Sequence, residues 1–214
     1  MSRRLGAALL ALTVAGCGGG PRVTETRSVE RYDRIQVDDQ ADVEIEIGTP
    51  PAIVVSAGED VIHRVKTDVV AGVLKVHVDH EGITIGHDPV EDSDVRVRVA
   101  SLDGLEVAGS GDASVTGLRA GTFDARIAGS GNLEAVGRAG LLDLEVDGSG
   151  DADLDRLEVR NATVNADGSG NADVFVTGTL DVEVEGSADV SYRGDPRVTS
   201  RVEGSGDLTA VGDT

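Results

Sequence analysis

Aromatic side chains are almost missing from this sequence. Among 214 residues there is no tryptophan, and Tyr32, Phe123, Phe175 and Tyr192 are the four rings. A thick globular interior is hard to fill without them, and a sugar-binding groove lacks its usual stacking platforms. Cysteine occurs once, at Cys17, which excludes any disulfide within the chain. Positive charge is scarce: 19 Lys and Arg against 39 Asp and Glu give a formal net charge of −20. Such a surface repels phosphate backbones, so nucleic acid is excluded as a partner. Histidine appears at His63, His77, His80 and His87 and nowhere later. No serine–histidine nucleophile can therefore be assembled in the second half, and no segment carries a long helical period.

What the sequence has in abundance is glycine, 29 residues of it, much of it in one phrase. Gly-Ser-Gly followed by Asp or Asn begins at Gly109, Gly129, Gly148, Gly168 and Gly204, with a degenerate copy at Gly186. The steps are 20, 19, 20, 18 and 18 residues. A period near 20 marks stacked supersecondary units, none able to bury its apolar face alone. Two residues before each first glycine stand Val107, Ile127, Val146, Ala166, Val184 and Val202. After the turn come Ala113, Leu133, Ala152, Ala172, Ala188 and Leu208, then Val115, Ala135, Leu154, Val174, Val190 and Ala210. All alternate with polar residues, as one buried face of a strand does.

The pattern predicts an all-β chain, a parallel β-solenoid (a right-handed β-helix) with 18–20 residues and at least two short strands per coil. Each inward Val, Leu or Ile contributes roughly 1.5–3 kcal/mol on burial. The Gly186 copy reads as one residue short, with the spacing Val184–Ala188–Val190, and Val37–Ala41–Val43 shares that spacing. Divergent coils are therefore expected in residues 29–100, ahead of the regular coils of 101–214. Ile35/Val37, Val43/Ile45/Ile47, Ile53/Val55, Leu74/Val76/Val78, Ile83/Ile85 and Val95/Val97/Val99 all alternate there. Residues 60–70 are the one stretch where a helical turn fits. The last coil, from Gly204 on, shows no capping helix, which leaves an edge open to end-to-end pairing.

The first 17 residues read as an export address. Arg3 and Arg4 precede an apolar run, Leu5 to Ala15, too short to span a bilayer. The run ends Val14-Ala15-Gly16-Cys17, which resembles the bacterial lipobox. That resemblance implies cleavage after residue 16, a diacylglycerol on Cys17 and, with Gly18 following, delivery to the outer membrane. Loss of Arg3 and Arg4 would take the mature chain to −22. Residues 17–28, opening Gly18-Gly19-Gly20-Pro21, read as a flexible tether.

The strand-rich start Tyr32-Asp33-Arg34-Ile35-Gln36-Val37, then Ala41-Asp42-Val43-Glu44-Ile45, Gly72-Val73-Leu74-Lys75-Val76 and the Gly-Ser-Gly phrases look like the head GIN domain family. The resemblance runs from Val29 to Val211. It implies an exported or lipid-anchored β-helical protein carrying the label of an auto-transporter adhesin head, and it brings no catalytic residues. A C-terminal β-barrel translocator is not expected in this chain.

The candidate site is the row behind the turns: Asp112, Asn132, Asp151, Asn171 and Asp207. Coils about 4.8 Å apart would line these side chains along one edge, the first four alternating acid and amide. Hydrogen bonding between them is the simpler account. A row of weak Ca²⁺ sites, helped by Asp153, Asp173 and Asp189, is the functional one, although the spacing does not fit the calcium-binding nonapeptide. No cofactor or metal centre is expected: His77 and Asp79 share a strand face and His80 takes the other. Arg193-Gly194-Asp195 spells an integrin-type tripeptide ahead of Pro196, a match common by chance. The expected function is a non-enzymatic envelope adhesin or interaction module. Its partners would be the membrane, through the lipid, and an envelope protein, surface protein or polysaccharide. A periplasmic scaffold and a glycan-active β-helix enzyme with paired carboxylates are the alternatives.

Overall fold

The chain is a parallel β-solenoid of about five turns. Its computed structural model describes residues 21–79 and 93–212. Residues 1–16, Cys17, His80, His87 and the Ile83/Ile85 alternation lie outside the described residues. Among those described, no helix is long and apolar enough to cross a membrane.

The regular coils are built from β9 (Ala113–Ile127), β10 (Leu133–Val146), β11 (Ala152–Gly168) and β12 (Ala172–Gly186). Each runs from one Gly-Ser-Gly turn to the next, so the two short strands expected per coil are joined into one long strand that bends. The bend falls where the register shifts, between Val136 and Gly137 and between Leu154 and Glu158. Gly117 marks it in β9 with φ of +75°, a conformation that a side chain disfavours. Pairing is parallel and in register, as in Val107↔Ile127, Ile127↔Val146, Val146↔Ala166 and Ala166↔Val184. These residues are buried, as are Leu105, Ala125, Leu144, Val164 and Val182 in the neighbouring row. The stack closes with β13 (Val190–Arg193), β14 (Arg197–Gly204) and β15 (Leu208–Ala210).

The first half is different in kind. Strands β2 (Arg34–Val37) and β3 (Asp42–Ile47) make one coil, which underlies β8 (Gly104–Val107) and β9. Beneath it the parallel order lasts one layer more and then ends. On one face, β7 (Asp94–Val99) joins β3 in parallel but takes β4 (Ala52–Gly58) antiparallel. On the other, β6 (Val73–Val78) joins β2 in parallel and takes β5 (Val65–Val70) antiparallel. Ala71 and Gly72 both have positive φ, 53° and 83°, the geometry of a tight hairpin turn. The divergent half is thus the β2/β3 coil over a further parallel layer of β6 and β7, closed by antiparallel strands, which end the stack more safely than an open parallel edge. The expected helical turn is a 3-10 turn at Ile62–Arg64.

Two sequence readings need correction. Residues Arg22–Arg27, placed in the tether, form β1, antiparallel to β4 in full register. Their alternation Val23-Thr24-Glu25-Thr26 hides only a partly buried face, so it gave no apolar signal. The Gly186 copy is not one residue short. Val190 pairs with Ala172 and Leu208, so Ala188 replaces the second glycine of the phrase one for one. In the same way Val37↔Val107 and Val43↔Ala113 put Asp39 and Ala41 at the two glycine positions of the first coil. The shared spacing was therefore a sign of a shared turn.

Tyr32 packs in the core with its hydroxyl unpartnered, and desolvation pushes its pKa up to about 12. The phenol stays neutral throughout the physiological range.

Candidate functional site

The turn after each inward row presents its Asp or Asn at one edge, and the structure brings the five predicted residues into line. All of them but Asp207 reach up to the next coil's backbone. Asp112 Oδ1 accepts from Asn132 N–H at 2.8 Å and from Asn132 Nδ2 at 3.0 Å. Asn132 Oδ1 accepts from Asp151 N–H at 2.9 Å, and Asp151 Oδ1 from Asn171 N–H at 2.8 Å. Asn171 Oδ1 then accepts from Asp189 N–H at 3.2 Å, and Asp189 Oδ1 from Asp207 N–H at 2.9 Å. Asp42 stands at the foot, accepting from Asp112 N–H at 2.9 Å.

The row therefore has seven members, two more than sequence reasoning found. Asp42 was missed because its turn has no Gly-Ser-Gly. Asp189 was placed two residues too late by the misread copy. One oxygen of each of the first six is committed to the backbone above it, so the row acts as an Asx ladder that satisfies turn amides. Among the described residues, no three His, Cys, Asp or Glu side chains are grouped to hold a metal ion.

Beside the ladder the next row carries Glu134, Asp153 and Asp173 in successive coils. Desolvation raises the Asp153 pKa, and a hydrogen bond and charge from Asp155 and the charge of Asp173 add to it. A carboxyl raised in the folded state binds its proton at higher pH than in the unfolded chain. Ionised Asp153 therefore opposes folding at neutral pH, and that penalty fades as pH falls through its folded pKa toward the unfolded value near 3.9. Asp153→Asn is expected to raise the melting temperature at pH 7, with the gain shrinking at about pH 4. A gain independent of pH would show that charge is not the cause.

A second feature was not found from sequence. The coil half, from residue 101 on, has eight arginines and no lysine. Two of them, Arg126 and Arg201, sit on an outer row with acids: Arg126 bonds Glu145 and Asp147, and Arg201 bonds Glu183 at 3.0 Å and Glu203 at 2.5 Å. The other six, Arg119, Arg138, Arg156, Arg160, Arg193 and Arg197, all lie along the bend. Cross-coil register runs Arg119↔Arg138↔Glu158↔Phe175↔Arg193. Arg138 pairs with Glu158 at 3.1 Å and Arg156 with Glu134, whereas Arg119, Arg160 and Arg197 are exposed with no ion pair among the described residues. Arg119, Arg138, Arg156 and Arg193 border a shallow groove of about 550 Å³.

Arg193 is half-buried. Its guanidinium lies 4.8 Å above the Phe175 ring and donates to the Asp155 carbonyl. The Arg193-Gly194-Asp195 tripeptide thus has its arginine held down on the coil rather than displayed, which ends the integrin-type reading. Phe123 points inward and is fully buried, as its strand parity predicts.

Stacked parallel coils, an Asx ladder at the turns and polar outer faces define a β-solenoid repeat module. The chain belongs to the family described as "putative auto-transporter adhesin, head GIN domain", which matches residues 31–196. A "putative adhesin" from Bacteroides fragilis has the same fold, with TM-score 0.66 and 16% identity over 89% of this chain and 97% of that one. A "putative adhesin" from Parabacteroides distasonis gives 0.57 and 23% over 90% and 98%. A "putative lipid binding protein" from the same organism gives 0.52 and 22% over 92% and 98%. At these identities the likeness is one of fold. No protein of curated function is detectably similar in sequence.

Proposed function

We propose that this chain is a non-enzymatic adhesion module of the bacterial envelope, lipid-anchored through Cys17, whose arginine bend takes hold of an anionic surface polymer. The observation that carries this reading is the segregation of charge. In a chain of net charge −20, six of the eight coil-half arginines line one bend. Arginine's planar fork suits carboxylate, sulfate and phosphate groups, and its weak hydration lowers the cost of contact. Arg119 and Arg138 stand in register in adjacent coils about 4.8 Å apart, with Arg156 and Arg160 in the coil above, a spacing that a linear polymer can follow. The family's adhesin label and the lipobox agree with an exported, surface-facing role.

The test is binding to immobilised polygalacturonate, with neutral dextran as control. Reversing Arg119 and Arg138 to Glu together is expected to weaken capture at least about tenfold, and wild-type binding should disappear by about 0.5 M salt. Equal binding by wild type and variant would sink the proposal. Protease digestion on intact cells is expected to remove the solenoid, and Cys17→Ser to release it from the membrane fraction. Protection until the cells are permeabilised would place it in the periplasm and remove the adhesion reading.

A further inference from the structure

Strand β14 bonds β12 along one side, and among the described residues nothing pairs with its other side. The chemistry of that free edge follows from the ladder's phase. Ser205 N–H donates down to Gly186 O, as Ser187 N–H does to Gly168 O one coil below. Backbone groups in a strand alternate sides, so the odd-numbered residues of β14 point theirs at β12. Val198, Ser200, Val202 and Gly204 point theirs away, eight groups in all. The side chains of the first three face inward with the apolar row, yet Val202 is 42% exposed because none of the described residues forms a coil over it.

The sequence of this strand is complementary to itself. Laid antiparallel on a second copy about a two-fold axis at Ser200, Val198 meets Val202 of the second copy and Ser200 meets Ser200. The six N–H and C=O groups of Val198, Ser200 and Val202 then all bond. On the outer face Arg197 meets Glu203 of the second copy, twice by symmetry. These are the non-hydrogen-bonded positions, where Cα atoms come within about 4.5 Å and side chains interact most closely. Shifting the register by two residues in one direction sets Arg201 against Arg201, and in the other sets Arg197 against Arg201. A shift by one puts bonded and free backbone groups face to face. One register is therefore favoured by hydrogen bonding, apolar contact and charge at once.

We propose that the chain associates end to end with a second copy through β14, antiparallel about a two-fold axis at Ser200, with Arg197 of each copy against Glu203 of the other. The interface is isologous and closes at two copies, so it covers the edge without opening a fibre. Its partner charges also explain how two strongly acidic chains can approach at this end.

The experiment uses two differently tagged full-length copies made in the same cells, extracted in detergent and captured through one tag. Wild-type copies should capture one another. Arg197→Glu leaves two acids facing two acids, and Glu203→Arg leaves two bases facing two bases, so each variant should lose at least about tenfold of its self-capture. Mixed together, the acidic copy and the basic copy are complementary again and should recover to within about twofold of wild type. That recovery cannot arise from misfolded chains. Undiminished self-capture by the single variants, failure of the mixed pair to recover, or no capture between wild-type copies would each overturn the proposal.

Discussion

Gly148→Ala is expected to lower stability by about 3 kcal/mol or more, whereas Gly121→Ala should leave it within about 1 kcal/mol of wild type. The two substitutions add the same methyl group to coils of the same stack. At Gly148 a Cβ would stand 1.9 Å from the Gly129 carbonyl oxygen and 2.9 Å from its carbon. The obstacle is backbone, held by the ladder beneath, so relief requires the coils to separate. At Gly121 nothing lies within 4 Å. Urea denaturation followed by far-UV circular dichroism distinguishes the two cases, and comparable midpoints would mean that the turns are not in contact. Asp39 occupies the equivalent position only in the first coil, beneath which no further Gly-Ser-Gly turn is stacked. The second glycine is less strict, since Ala41 and Ala188 stand in its place in two coils.

That contrast explains what could be read from the sequence. Glycine at the first turn position is demanded by a coil-to-coil approach, so it recurs and shows the period. The inward rows recur because each is shared by every coil, and the Asx residues recur because each one satisfies the coil above. Residues whose role is not shared left no such trace. Strand β1 pairs with β4 at an edge and buries little, so Arg22–Arg27 looked like tether. The antiparallel strands closing the first coil alternate like any other strand, and periodicity alone carries no strand direction. The arginine bend was missed for a related reason. Its members fall at different offsets from the glycine phrase, because the register shifts at the bend displace them. Only cross-coil pairing brings Arg138 over Arg119 and Arg193 over Phe175.

Phe123→Ala is expected to cost roughly 3–5 kcal/mol, and Phe123→Leu only about 1 kcal/mol. Phe123 is fully buried, the largest side chain of the interior, in a row whose next members are Leu142, Ala162 and Leu180. The backbone around it is fixed by ladders to β8 below and β10 above, so the walls cannot close on the space the ring leaves. The cavity would be apolar and would stay dry, with no water bonds to offset the lost contacts. Because a solenoid is held together by interfaces between neighbouring coils, the damage should be local. Hydrogen exchange is expected to quicken first in residues 113–146, while 172–186 keep their protection. Uniform loss of protection along the chain would instead mean that the coils unfold as one unit.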